Sequence, residues 1–299
     1  MSTMTPITPA LQVREILFAT DFTSSSRRAQ KTAMFFAERF GARMHVLHAF
    51  NPVQLAPMMG YDMPGTAVVD LESGARQQLQ RTVNDVKQHG ITTQSILATG
   101  TPSESVAAAI RDLNIDLVVV GTHGAEGVER IVLGSVAEEI MRNASCPVIT
   151  VGPSVVSHDP TIKRVLFATD FSPASLHAVP AAYAVAWENQ AQLILLHVLP
   201  TEIESNPDTP RLTHYFEHEL LHLLPPEAAE QCKIDLLLEQ GRTADCILDV
   251  AEQRQCDLIV LGVQSGHDYT SHFFAGLTYQ VICNAPCPVM TVRQKPQEK

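Results

Sequence analysis

Arg14-Glu-Ile-Leu-Phe-Ala-Thr-Asp21-Phe22 returns 149 positions later as Lys163-Arg-Val-Leu-Phe-Ala-Thr-Asp170-Phe171. The match extends outward at the same spacing, from His48 after Met-His-Val-Leu to His197 after Leu-Ile-Leu-Leu. Toward the end of each copy the spacing becomes 141. There Asp116-Leu-Val-Val-Val-Gly121 pairs with Asp257-Leu-Ile-Val-Leu-Gly262, and Cys146-Pro-Val-Ile-Thr-Val151 pairs with Cys287-Pro-Val-Met-Thr-Val292. Solenoid repeats recur every ~20–50 residues, so a period this long marks a duplicated domain. The 299 residues are also about twice the common domain size of roughly 150. The expected domains are 1–152 and 153–299, joined through the Gly-, Pro- and Ser-containing stretch Gly152 to Pro160.

Within each copy, runs such as Leu117-Val-Val-Val120 and Leu193-Ile-Leu-Leu196 are continuously apolar, as strands covered on both faces must be. Amphipathic segments near 24–40, 67–89, 102–114 and 135–143 alternate with them in the first copy. Thr23 or Ser24 and Thr101 stand as helix caps, and Gly41 and Gly90 as helix ends. The expected fold is α/β: two doubly wound domains, each a five-stranded parallel sheet with helices on both faces. A ligand in such a sheet sits beyond the carboxyl ends of the strands where their order reverses, which directs attention to the loops after strands one and four.

The chain is 45% hydrophobic and 18% charged, the balance of a globular protein. No apolar run reaches the ~18 residues of a membrane span, and Met1 to Ala10 lack the basic start and apolar stretch of an export signal. A cytoplasmic protein without membrane contact is expected. Six Cys, none in CxxC spacing, read as buried thiols. The net charge of −11 disfavours nucleic acid as a partner. It is unevenly spread, with 12 basic and 14 acidic residues in 1–152 against 9 and 18 in 153–299, so an anionic ligand is repelled less by the first half.

After strand four the first copy reads Gly121-Thr-His-Gly124, nine residues, then Gly134-Ser135 opening a helix. Glycines admit backbone N–H groups close to an anion, and a helix start with a serine hydroxyl favours negative charge. Arg130 inside the loop is placed to compensate phosphate, while Glu126 and Glu129 oppose it. The second copy departs from this pattern. Gly262-Val-Gln-Ser-Gly266 has three residues between glycines, and Gly276 is followed by Leu277. Asp21 admits two readings, as a ligand-binding carboxylate or as a helix-starting residue.

Gly-x2-Gly-x9-Gly-Ser after the fourth strand, Ala-Thr-Asp21-Phe after the first and Leu-His48 in the second resemble the universal stress protein family in its tandem two-domain form. The resemblance implies ATP, with magnesium, as cofactor. It places Ala19, Asp21 and Ala49 around adenine and ribose, and Val120, Gly121, Gly124, Gly134, Ser135 and Val136 along ribose and phosphates. It implies a pseudo-dimer of the two domains, with a homodimer as a further partnership. The matched strands Val148 to Val151 and Val289 to Val292, whose edges would otherwise be open to pairing, agree with that arrangement.

His218-Glu219-Leu-Leu-His222 matches the HExxH spacing that sets two imidazoles on one side of a helix, with His214 one turn earlier. It occupies the second-helix slot of the second domain, so surface histidines are the main expectation. Zinc on His214, His218 and His222 is the alternative, without proteolysis. The expected function is a nucleotide-binding stress-response protein acting as a sensor or interaction module, with no catalytic residues. Alternatives are slow ATP hydrolysis, metal-assisted hydrolysis, or another small or lipid-like ligand in domain two.

Overall fold

The structure, a computed structural model, describes residues 11–51, 65–122, 133–155, 161–200, 209–226, 228–264 and 276–294. The chain divides into two compact units, Val13–Pro153 and a second running from Ser154 onward. In the first, β1 (Glu15–Ala19), α1 (Ser24–Phe40), β2 (Arg43–Phe50), α2 (Gly65–Gln88) and β3 (Thr93–Thr99) are followed by α3 (Pro102–Asp112), β4 (Leu117–Gly121), α4 (Ser135–Asn143) and β5 (Val148–Val151). The strand order in this unit is β3-β2-β1-β4-β5, all parallel. The chain builds outward from β1 to β3 and then restarts at β4 on the other side of β1. The carboxyl ends of β1 and β4 therefore flank the crevice where ligands bind in this fold.

The second unit repeats the plan with β6 (Arg164–Ala168), α5 (Pro173–Asn189), β7 (Gln192–Leu199), α6 (Thr209–Leu221), α7 (Ala228–Gln231) and β8 (Ile234–Gln240). It ends with α8 (Thr243–Gln253), β9 (Leu258–Val263), α9 (Leu277–Asn284) and β10 (Val289–Arg293). Its strands lie parallel in the order β8-β7-β6-β9-β10. The central strands are apolar throughout because both faces are covered: Ile16, Leu17, Phe18, Leu117, Val118 and Val119 are all fully buried, as are Val165, Leu166 and Phe167.

The repeated polar residues have structural work at the amino ends of these strands. Asp116 Oδ2 accepts the backbone N–H groups of Arg14 and Glu15 at 2.8 and 3.0 Å, and Asp257 Oδ2 those of Lys163 and Arg164 at 2.7 and 2.9 Å. Each aspartate thus ties the strand it precedes to its neighbour. Helix ends follow the local signals: Thr23 caps α1 by accepting from Ser26 N–H, Thr101 caps α3 through Glu104 N–H, and Gly41 closes α1 at φ 64°. At that φ a Cβ would strain the backbone.

Candidate functional site

At the carboxyl end of β1 the chain makes a turn that both units share. Phe22 and Phe171 sit at φ 66° and 58°, in the left-handed region that costs a bulky residue of order 1–3 kcal/mol. Side chains hold them there. Phe22 N–H donates to Thr20 Oγ1 at 3.0 Å, and Asp21 Oδ1 accepts from Thr23 N–H at 3.1 Å, from the Thr23 hydroxyl at 2.6 Å and from the Ser26 hydroxyl. His48, on β2, has Nδ1 2.8 Å from the Thr20 carbonyl, which makes Nδ1 the protonated nitrogen, and its ring packs on Phe22 with centroids 4.3 Å apart. The second unit repeats the two backbone bonds, the histidine contact and the ring pair with Thr169, Asp170, Phe171, Ser172 and His197. Burial alone would raise the Asp170 carboxyl. The hydrogen bonds from Ser172 and Ser175 outweigh it and hold that carboxyl below its ordinary value.

The ligand-binding and helix-starting readings of Asp21 are thereby separated. Thr23, not Asp21, is the cap of α1, and Asp21 fixes the turn before it through one carboxylate oxygen. Its second oxygen carries none of these hydrogen bonds, and the residue lines a cavity.

That cavity has a volume of about 260 Å³ and lies in the crevice between β1 and β4. It brings together Ala19, Asp21, Ala49, Val120, Gly121, Gly134, Ser135 and Val136. Of the residues named from the sequence, Gly124 and Arg130 lie outside the described residues, as do His123, Glu126 and Glu129. The walls also include residues to which the sequence reading assigns no ligand contact. Leu47, Pro102, Val106 and Ile140 add apolar surface, and Thr20, Ser26, His48 and Thr122 add polar atoms. Pro102, Val106 and Ile140 arrive on the inner faces of α3 and α4, and no local spacing announces that these faces converge over β1. His48, in an otherwise apolar run of β2, is only partly buried and forms part of the wall.

The cavity is divided by chemistry. Ala19, Leu47, Ala49, Pro102, Val106 and Ile140 make one set of walls apolar. Another part of the wall is the start of α4, where Gly134 takes the cap position without a side-chain hydrogen bond and the exposed Ser135 opens the helix. The first amides of a helix lack internal partners and carry the positive end of its dipole, so they suit an anion. No Lys or Arg lines the cavity among the described residues. The residues present fit a nucleotide: an apolar slot for a base, a carboxylate for hydroxyl donors and a helix start for phosphate.

The glycines have a further cause beyond room for an anion. A Cβ on Gly121 would stand 2.8 Å from Ser25 Oγ and 3.1 Å from the Ser25 carbonyl carbon, and one on Gly134 would stand 2.9 Å from the Thr122 carbonyl oxygen. Gly134 N–H donates to that same carbonyl at 2.6 Å. Both positions are small because the chain crosses itself there.

The remaining predicted residues lie elsewhere. His214 and His218 are exposed on α6 and His222 is exposed just beyond it; among the described residues no group of three His, Cys, Asp or Glu is placed to hold a metal ion. None of the six cysteines is in a disulfide. Burial, with Asp257 nearby, pushes Cys256 up to about 12, and burial pushes Cys287 well up. Both are neutral packing groups at pH 7. No helix among the described residues is long and apolar enough to cross a membrane.

The model of the universal stress protein family matches this chain twice, over residues 12–152 and 161–293. A universal stress protein from Mycolicibacterium smegmatis is 29% identical over 293 residues, covering 94% of this chain and 97% of its own. Universal stress protein MJ0531 from Methanocaldococcus jannaschii is 29% identical over 141 residues, 46% of this chain and 81% of its own. Among solved structures, a universal stress protein from Archaeoglobus fulgidus aligns with a TM-score of 0.73 at 22% identity, over 95% of this chain and all of its own, a likeness of fold.

Proposed function

The chain belongs to the universal stress protein family, with two copies of the family domain, and from that premise we propose that its first unit binds ATP with magnesium and serves as a nucleotide-dependent sensor or interaction module. The observation that carries this reading is the cavity at the β1–β4 crevice. It gathers Ala19, Asp21 and Ala49 from the first two strands with Val120, Gly121, Gly134, Ser135 and Val136 from the region of β4 and α4. On this reading the base lies against Ala19, Ala49 and the apolar side chains of α3. The ribose meets the Asp21 carboxylate. The phosphates meet the amides at the start of α4 and the Ser135 hydroxyl, and magnesium supplies the compensation that the described walls lack.

The test is calorimetric titration with Mg-ATP. Binding is expected in the native chain, and Ser135→Ala is expected to weaken it at least about tenfold, since one hydrogen bond to a charged group contributes ~1.5–3 kcal/mol. Absence of binding in the native protein overturns the reading, as does unchanged affinity in the Ser135 variant.

A further inference from the structure

The histidines of α6 carry an inference separate from the nucleotide site. We propose that His218 and His222 form a binding site for a divalent transition metal ion, zinc being the type case, on the exposed face of the second unit. The two rings lie one turn apart at the end of the helix, with centroids 4.0 Å apart and planes inclined by 35°, so a turn of the exposed His218 ring is needed to bring a nitrogen of each onto one ion. His222 Nδ1 is 2.7 Å from the His218 carbonyl oxygen. That bond makes Nδ1 the protonated nitrogen and leaves the lone pair on Nε2, the arrangement found when a ligating imidazole donates its other N–H to a backbone carbonyl. His218 is 61% exposed and His222 is exposed, so neither ligand must be uncovered to take a metal.

The surroundings favour a cation. Glu219 Oε1 lies 3.8 Å from His218 Nδ1, and Glu217 is on the same helix, 4.0 Å from His214 Nδ1. His214 itself is 88% exposed, and among the described residues no ring contact joins it to the other two. The site is therefore a pair and not the triad that the sequence spacing offers. Two protein ligands leave the other positions of a tetrahedral ion to water. A peptidase centre needs a third protein ligand, so this is a binding site and not a hydrolytic one.

The opposite face of α6 explains what occupancy would do. Leu220 is fully buried, and Phe216 packs on His197 at 4.5 Å and on Phe171 at 5.8 Å, over the second unit's counterpart of the His48–Phe22 pair. A metal bridging positions 218 and 222 clamps the end of the helix that presents Phe216. Because the pair exists only when the helix is formed, binding stabilises the folded second unit by mass action.

The experiment uses the full chain without an affinity tag, stripped with a chelator and titrated with zinc chloride alone. One equivalent is expected to bind and to raise the melting temperature. His218→Ala and His222→Ala should each weaken binding at least about tenfold and abolish the thermal shift, while His214→Ala should change affinity less than about threefold. Far-UV circular dichroism confirms that the variants fold, as replacing exposed side chains should allow. No zinc binding by the native chain, binding unchanged in His218→Ala or His222→Ala, or a loss in His214→Ala equal to theirs would overturn the paired site.

Discussion

Asp21 and Asp170 hold the same place in the two units, and each accepts the backbone N–H two residues ahead through Oδ1, at 3.1 and 2.9 Å. The left-handed phenylalanine that follows needs this support, so the second unit keeps the aspartate although its loop has lost the glycine-serine pattern. Duplication of a polar residue is then no evidence that a ligand is duplicated. For Asp170 the sign of the pH dependence follows from its lowered carboxyl, since the hydrogen bonds favour the ionised form more in the folded chain than in the unfolded one. Its contribution to stability is present above the ordinary carboxylate value and fades as pH falls through that value toward the folded one. Asp170→Asn should lower the urea midpoint at pH 7, and the gap from the native protein should narrow at pH 3. A gap of equal size at both pH values would show that the charge is not what holds the turn.

Where strands meet helices, the glycines at the ends of β4 and β9 set how closely α1 and α5 approach the sheet. A Cβ on Gly262 would lie 2.2 Å from the Ala174 carbonyl oxygen and 2.4 Å from Ser175 Cα, whereas on Gly121 the nearest atom, at 2.8 Å, is the Ser25 hydroxyl. Backbone cannot step aside as a side chain can. Gly262→Ala should therefore destabilise its unit more than Gly121→Ala, whose overpacking cost is about 1–3 kcal/mol; thermal melts of the two variants decide the order, and equal losses would refute the packing account. This level of organisation was legible in part. The apolar runs, the Thr23 and Thr101 caps and Gly41 announce the strands and helices because each depends on neighbours in sequence. The closeness of Gly262 to α5, the walls supplied by Pro102, Val106 and Ile140, and the separation of His214 from the His218–His222 pair depend on how distant elements pack or how one side chain turns, and spacing does not encode them.

Under the proposed function, the charge of the whole chain and the chemistry of its two loops favour one nucleotide per chain. Residues 1–152 carry nearly balanced charge, 12 basic against 14 acidic, while 153–299 carry 9 against 18, and a triphosphate is repelled more by the second half. The local difference has the same sign. Ser135 opens α4 with a hydroxyl beside the cavity, and at the equivalent position α9 begins with Leu277, 37% exposed, whose side chain has no hydrogen bond to give a phosphate. Gly134 is a poor probe of this asymmetry because a side chain there meets the Thr122 carbonyl before any ligand. The informative pair is Ser135→Ala and Leu277→Ala, measured by calorimetry with Mg-ATP on the full chain. One nucleotide per chain is expected, with affinity reduced in the first variant and unchanged in the second. A stoichiometry near two, or a loss of binding in Leu277→Ala with its melting temperature preserved, would move a nucleotide into the second unit and overturn the assignment to the first.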